Sequence, residues 1–503
     1  MGVEGDDIVK LSQDEAELEE ALRNYVPGTS EEKKLVWKVD LLLMPILWVM
    51  YILNYVDRTN IGNAKVAGMA DDLNLDDQRY AWIVSIFFFG YLICEVPSNM
   101  ILARSRPSIF LPGIMIVWGG LSAAMGSAKS YGAMLAFRFV VGCVESGFFP
   151  GVLYLLSCWY TSAELGKRFT IFYTASTLSG AFGGLIAGAI TDGLHNAHGI
   201  SGWRWLFIVE GVCTVGVAVI AIFILLDYPS TSKRLSLRER QLATIRLIAD
   251  QRANNPSSQQ SATVREPLSH WDAFVAALAD YRTGYFLIML MLNVGAGTIS
   301  YFIPTLTETL GYSGATAQYM TVPIYIVAAF IANCTAVVAD MVQRRRRAAG
   351  TSDGVGGRRR FVGSFLALGC VSSIICAIVT QKVVRYVFTC FVAAGIWTAL
   401  PLALAWISAT FSVPSSPNGG PPSPEKRAIV LALVNACGNL SSVYGSRIWP
   451  DKDTPEYTMG WSVTAAFLGL ATLMVIASPV AFRLPVKEVV RTRNPDDVEG
   501  QAE

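Results

Sequence analysis

Two ionisable side chains, Arg138 and Glu145, lie inside an apolar stretch that runs from Tyr131 to Leu156. A helix places them on one face, two turns apart. A helix of this length can cross a hydrocarbon core of about 30 Å, where a charged side chain at the centre costs about 2.5 to 3.5 kcal/mol. That face therefore cannot contact lipid. Two interpretations remain: the charges are neutralised for packing alone, or they line a path for a solute or a proton, which intramembrane charges favour.

The two side chains differ in the chemistry that they can perform. Arg138 keeps its charge and can attract an anionic substrate. Glu145 can load and release a proton, whereas an arginine cannot be deprotonated. For Glu145, a transport role and a structural role remain equally open.

The composition places these residues in a membrane protein that crosses the bilayer several times. The chain has 503 residues, of which 52% are hydrophobic and only 16% are charged. An ordinary soluble domain carries more charge. The net charge of +1 also argues against a nucleic-acid-binding protein, because such proteins gather lysine and arginine on one basic surface.

Apolar stretches predict two groups of six membrane-spanning helices around a polar linker. The first span is expected from Val39 to Val56, and helices are expected in the linker near Ser236–Asn254 and His270–Asp280. The predicted segments are an N-terminal tail (1–38), a six-helix bundle (39–227), a linker (228–283), a second six-helix bundle (284–482) and a C-terminal tail (483–503).

The distribution of basic residues predicts that both termini are cytosolic. Lysine and arginine gather after the second, fourth, sixth and eighth predicted spans, and such loops face the cytosol. We expect the protein to lie in the plasma membrane.

The two halves also correspond at an offset of six helices, as a parallel internal repeat would. The fifth span carries Gly180, Gly184 and Gly188 on one face, and the eleventh carries small residues at the same spacing, Gly438, Ser442 and Ser446. Small residues at that spacing let two helices approach closely. We expect both faces to contact the opposite half of the chain.

Seven motifs in order resemble the major facilitator superfamily, and more closely its fungal anion:cation symporter family of allantoate, nicotinate, pantothenate and biotin permeases. The motifs are DRTNIGNAKVAGM (57–69), EVPSNMIL (95–102), RFVVGCVESGFFPG (138–151), GWRWLFIVEG (202–211), DYPSTS (227–232), GYSGATAQYMTVPIY (311–325) and KRAIVLALVNACGNL (426–440). The resemblance implies an all-α membrane protein of twelve helices in two bundles. It also implies import of a small organic anion, such as pantothenate or nicotinate, together with protons by alternating access.

Two other functions remain open. One is proton-coupled export of an organic acid or secondary metabolite on the same fold. The other is a nutrient sensor that binds its ligand without transporting it, which calls for longer cytosolic tails than this chain has.

Further candidates lie in the first half and in the middle of the chain. Glu95, two residues before a predicted helix break at Pro97, is either part of the proton site or a polar clamp at the cytosolic end. Asp57 and Arg58 are predicted to close the first helix as an outer gate or anchor. Asp340, with Arg344 and Arg345, is predicted to form a cytosolic charge relay, although the arginines alone also fit the topology rule.

In the second half, polar and aromatic residues are candidates for substrate contact. Asn293 and Tyr301 flank the glycine-rich NVGAGT, a candidate gate in the seventh helix. Asn435 and Asn439 are four residues apart in the eleventh, where they either bind substrate or bond across helices. Trp397 in the tenth is equally consistent with packing and with substrate stacking.

The sequence gives no sign of an enzyme, a metal site or a cofactor. It contains no GxxxxGK[ST] loop for nucleotide phosphates, and its three histidines, His195, His198 and His270, are dispersed. The expected partners are a small organic anion, protons and the lipid bilayer. We expect a monomer, although no sequence feature sets the oligomeric state.

Overall fold

The computed structural model describes residues 20–103, 105–254, 270–348, 356–411 and 424–483. Within these ranges, twelve helices are long and apolar enough to cross a membrane, which confirms the predicted fold class. We number them α1 (Ser30–Asp72), α2 (Asp77–Leu102), α3 (Pro107–Met125), α4 (Tyr131–Ser157), α5 (Glu164–Gly193), α6 (Gly202–Ile224), α7 (Tyr281–Tyr301), α8 (Gly314–Gln343), α9 (Arg358–Ile378), α10 (Lys382–Thr410), α11 (Lys426–Gly445) and α12 (Thr458–Ala481).

Helix α1 is much longer than the predicted Val39–Val56. It is α-helical from Ser30 to Ala64 and continues through a π-helical turn, Lys65–Met69, in which Gly68 has a φ of 100°. The prediction that Asp57 and Arg58 close this helix is therefore wrong. The polar residues after Val56 are buried inside the protein and not at a membrane surface, so hydropathy ended the span too early.

Helices α2 and α4 cross at close range. The predicted break at Pro97 is wrong, because the helix runs from Asp77 to Ala103 with the proline inside. A Cβ atom at Gly142 of α4 would overlap the carbonyl oxygen of Phe87 on α2, and one at Gly90 would overlap that of Phe139. Only glycine permits this backbone approach.

By its contacts the chain forms two compact units, one of Met1–Val264 with Ile299–Ile326 and one of Arg265–Thr298 with Val327–Glu503. In the first unit, α1 packs on α5 and α6, and α3 packs on α6. In the second unit, α7 packs on α11 and α12, and α9 packs on α12. The same helix pairs thus recur at an offset of six, as the predicted repeat requires.

The small-residue face of α5 receives larger side chains from the start of α8, all within the first unit. Added Cβ atoms at Gly180, Gly184 and Gly188 would overlap Tyr325, Thr321 and Tyr319 in that order. In the second unit, Gly438 of α11 faces Leu290 and Val294 of α7. The α5 face therefore contacts the second half of the sequence as expected, whereas at Gly438 the expectation is wrong, because the α11 face there contacts α7 of its own half.

A linker helix at Leu237–Asn254 confirms the predicted one and binds the ends of α1 and α5 through ion pairs. Arg246 is buried and pairs with Glu32 (3.4 Å) and with Glu164. Lys38 of α1 binds Glu239 at 2.9 Å. The second predicted linker helix is present at His270–Ala279, while residues 255–269 lie outside the described residues.

Ion pairs also join the first membrane-spanning helix of each unit to another helix of the same unit. Asp40 of α1 accepts two hydrogen bonds from Arg168 of α5, at 2.6 and 2.7 Å. Asp280, at the start of α7, binds Lys426 of α11 at 2.8 Å and Arg282 at 2.7 Å. Burial raises the pKa of Asp280, but the hydrogen bonds from Arg282 and Lys426 outweigh burial and hold that pKa below its usual range.

Candidate functional site

The central feature of the first unit is a buried ion pair between Arg58 of α1 and Glu145 of α4. Arg58 donates two hydrogen bonds to one oxygen of Glu145, from Nε at 3.0 Å and from Nη2 at 2.5 Å. Glu145 is 1% exposed and Arg58 is 8% exposed. A pair so far from water is held together by charge attraction that water would otherwise weaken.

Arg138 lies two turns before Glu145 on the same buried face, as the spacing predicted, but it does not pair with Glu145. Its guanidinium donates long hydrogen bonds to the carbonyl oxygens of Ile83 (3.4 Å) and Arg58 (3.5 Å). Among the described residues, no carboxylate lies within 4.0 Å of it. Arg138 is thus a buried cation without a counter-ion in contact.

Asp57, the neighbour of Arg58 in sequence, points to a different set of helices. Its Oδ2 accepts hydrogen bonds from Trp118 of α3 (3.1 Å) and Thr214 of α6 (3.0 Å). Asp57 is also buried. Together, Asp57, Arg58, Arg138 and Glu145 form a group of two cations and two carboxyls, which we call the charged cluster.

Three aromatic rings surround the guanidinium of Arg58. Its central carbon lies 5.2 Å from the ring of Tyr55 and 5.1 Å from the rings of Phe87 and Tyr91. Phe87 also lies 4.9 Å from the guanidinium of Arg138. Aromatic faces attract cations, so the three rings stabilise the buried guanidinium of Arg58, and Phe87 stabilises that of Arg138 as well.

Some buried polar atoms of the charged cluster and its surroundings have no hydrogen-bond partner among the described residues. The second oxygen of Glu145 and both amide atoms of Asn54, one turn before Arg58, make no hydrogen bond with the described residues. Buried polar groups in proteins are almost always hydrogen-bonded. The cluster therefore has unused hydrogen-bonding capacity beside its ion pair.

Two other candidates from the sequence also belong to the first unit. Glu95 is half-buried on α2. Tyr301 is buried, and its carbonyl oxygen accepts a hydrogen bond from Tyr80 at 3.1 Å. The structure therefore brings Glu95 and Tyr301 into the unit that holds the charged cluster.

A further carboxyl of this unit, Glu308, lies between α7 and α8 on the short helix Ile303–Thr309. Burial raises the pKa of Glu308 to about 7, although the positive charge of Lys65 acts in the opposite direction. Glu308 can therefore gain or lose a proton near neutral pH.

The remaining candidates for substrate contact belong to the second unit. Asn293 of α7 is buried and donates a long hydrogen bond of 3.5 Å to the carbonyl oxygen of Ile396, while its own Oδ1 has no partner among the described residues. Trp397 of α10 is half-buried, as are Asn435 and Asn439 of α11.

The predicted cytosolic charge relay falls mostly outside what the structure describes. Asp340 and Arg344 lie on the helix Thr321–Ala348, but their side chains are outside the described residues. Arg345 is exposed. The relay stays a prediction.

Sequence reasoning missed two residues of the site region. Asn54 precedes Arg58 by four residues, and this helical spacing was a usable signal. Glu210 lies within the GWRWLFIVEG motif, but a carboxylate amid apolar residues shows no partner in the sequence. Among the described residues, no group of three metal-ligating side chains comes together.

Comparison with known proteins agrees with this architecture. Residues 47–446 match the family model of the Major Facilitator Superfamily. MFS-type transporter cnsO of Penicillium expansum is 33% identical over 463 residues, which cover 89% of this chain and 83% of that protein. MFS transporter prlL of a fungal species (strain NRRL 50135) is 31% identical over 468 residues, which cover 91% of this chain and 88% of that protein.

A solved structure shares the fold. The bacterial homologue of the human lysosomal transporter Spinster, inward-facing and unoccupied, has a TM-score of 0.64 at 16% identity and covers 89% of this chain and 98% of its own. The family match spans most of the chain, and the two fungal relatives extend over nearly its whole length. This chain therefore belongs to the Major Facilitator Superfamily of membrane transporters.

Proposed function

We propose that the protein imports a small organic anion together with protons by alternating access, as a member of the anion:cation symporter family. The observation that carries this proposal is the buried Arg58–Glu145 ion pair, whose carboxylate leaves one oxygen unused. A cation that is paired with a group able to accept a proton can exchange one anionic partner for another.

The exchange proceeds in three steps on these residues. A proton binds Glu145 and removes its negative charge. Arg58 is then a buried cation without a counter-ion, which is costly, and the carboxylate of a substrate takes the place of Glu145. When Glu145 loses its proton on the cytosolic side, it competes for Arg58 and displaces the substrate.

Arg138 adds a second positive charge that has no carboxylate in contact within the described residues. It favours an anion in the cluster throughout the cycle without taking part in proton transfer. The rings of Tyr55, Phe87 and Tyr91 would contact the body of an acid held at Arg58. Pantothenate and nicotinate are the first acids to test.

The other predicted roles are part of the same proposal. Substrate or proton contact is assigned to Glu95 and Tyr301 and, from the second unit, to Asn293, Trp397, Asn435 and Asn439. Gating is assigned to Asp57 and Arg58 and to Asp340, Arg344 and Arg345. We place the protein in the plasma membrane as a monomer, with bundles at 39–227 and 284–482 and both termini in the cytosol.

The test is uptake of a panel of radiolabelled acids by yeast that lacks its own permeases, at acidic and neutral external pH. We expect one acid to accumulate faster at acidic pH, because external protons load Glu145. In Glu145→Gln this pH dependence should disappear. Asp71→Asn, which removes an exposed carboxylate, should keep it.

One outcome would overturn the direction of transport. If protein present at the cell surface takes up none of the acids and instead lowers the retention of an acid loaded into the cells, then the protein is an exporter. Uptake with the same pH dependence in Glu145→Gln would overturn the role of Glu145.

A further inference from the structure

Glu210 of α6 is a carboxyl enclosed in the first unit. It is 2% exposed, and neither of its oxygens makes a hydrogen bond with the described residues. The next residue, Gly211, lies so close to α3 that an added Cβ would overlap the backbone of Gly119 and Ala123. Glu210 is therefore enclosed by protein, next to a close crossing of α3 and α6.

Asp57 is the charged group whose electrostatic influence reaches Glu210. Thr214, one helical turn after Glu210 on the same face, donates a hydrogen bond to Asp57, and Trp118 donates another to the same oxygen. Two donors stabilise the ionised form of Asp57. Among the described residues, no donor binds Glu210 and no cation lies within 4.0 Å of it.

The structure favours the ionised form of Asp57 and the protonated form of Glu210. An ionised carboxylate buried without donor or cation is among the most costly arrangements in a protein, whereas a neutral carboxylic acid is far less so. Two other charged groups act on Asp57, namely Arg138 and Glu145, and both lie on α4. From α3, the side chain that contacts Asp57 is the uncharged Trp118.

We propose that Glu210 holds a resident proton, so that a neutral carboxylic acid lies beside the ionised Asp57 between α1, α3 and α6. This proton-binding site is separate from Glu145, where the proposed transport proton binds. The proton on Glu210 stays in place during transport, because close helix packing encloses it. It also keeps a third negative charge away from the two carboxylates and two arginines of the charged cluster.

The test is infrared difference spectroscopy of the purified protein in lipid vesicles at neutral pH. The spectrum of wild type minus Glu210→Gln should contain the C=O stretch of a protonated carboxyl, which shifts when H₂O is replaced by D₂O. Glu164→Gln is the matched control: Glu164 pairs with Arg246, so that difference should contain carboxylate bands. If the Glu210 difference contains only carboxylate bands, Glu210 is ionised and the proposal is wrong.

Asp57→Asn gives a second test should Glu210→Gln fail to fold. The C=O band should remain and change frequency, because the charge beside Glu210 is gone. An unchanged band would show that the protonated carboxyl lies elsewhere in the protein and would overturn its assignment to Glu210.

Uptake separates a resident proton from a transported one. Glu210→Gln should keep the pH dependence of uptake that Glu145→Gln loses. Loss of the pH dependence in folded Glu210→Gln would show that this proton moves during transport, against the proposal. The infrared spectra do not depend on transport. They therefore test the proton on Glu210 even if the proposed import of an acid is wrong.

Discussion

Removing one partner of the Arg58–Glu145 pair should destabilise the protein strongly, and removing both should not. Glu145→Gln leaves Arg58 as a buried cation, and Arg58→Gln leaves Glu145 as a buried anion. Breaking a buried pair in this way costs about 3–5 kcal/mol. The attraction itself is of that order, since two charges about 4 Å apart at an effective dielectric constant near 20 attract by roughly 4 kcal/mol.

The measurement is a double-mutant cycle on the free energy of unfolding in mixed detergent micelles. The double variant should recover most of what each single variant loses, giving a coupling free energy of about 3 kcal/mol or more. The exposed pair of Arg238 and Glu31 provides the control, with a coupling below about 1 kcal/mol. Additive losses at Arg58 and Glu145 would refute the inferred strength of the pair.

Three other changes have defined outcomes. Gly142→Ala should lower the unfolding free energy by about 1–3 kcal/mol relative to the matched Gly113→Ala, because only the first adds a methyl against backbone; equal stability of the two would contradict the close crossing of α2 and α4. Asp280→Asn should destabilise the protein more than Lys426→Gln, because it removes both ion pairs of Asp280 whereas the lysine variant removes one; the reverse order in thermal unfolding would count against this arrangement. For Glu308, a pKa of about 7 in the folded protein against an ordinary value of 4.5 means that its stabilisation is complete below about pH 4.5 and is lost as the pH rises through 7. Glu308→Gln should therefore flatten the melting temperature across this range, and an unchanged slope would exclude Glu308 as the source.

The fold could be predicted from the sequence because each membrane-spanning helix carries its own apolar signal. Twelve spans and both linker helices were found in this way. The end of α1 was not, since hydropathy treats Asp57 and Arg58 as exposed when they are in fact buried. A helix that keeps polar residues inside the protein loses the local signal by which its end is recognised.

The burial of Arg138 and Glu145 on one face of α4 could be predicted, but their partners could not. Arg138 and Glu145 are two helical turns apart, so the sequence directly shows that they share one face of the helix. The actual partner of Glu145 is Arg58, 87 residues away in the chain, and no local pattern links the two. Glu210 was missed for the same reason: whether a carboxyl is charged depends on neighbours that only the folded chain supplies.

The exchange proposed at the Arg58–Glu145 pair has an electrical consequence. A proton and a monovalent anion that enter together carry no net charge across the bilayer. The membrane potential, worth about 2.3 kcal/mol per elementary charge per 100 mV, then neither drives nor opposes uptake. An acid with two negative charges would instead move one charge with each proton, so the voltage dependence of uptake reports the charge of the substrate.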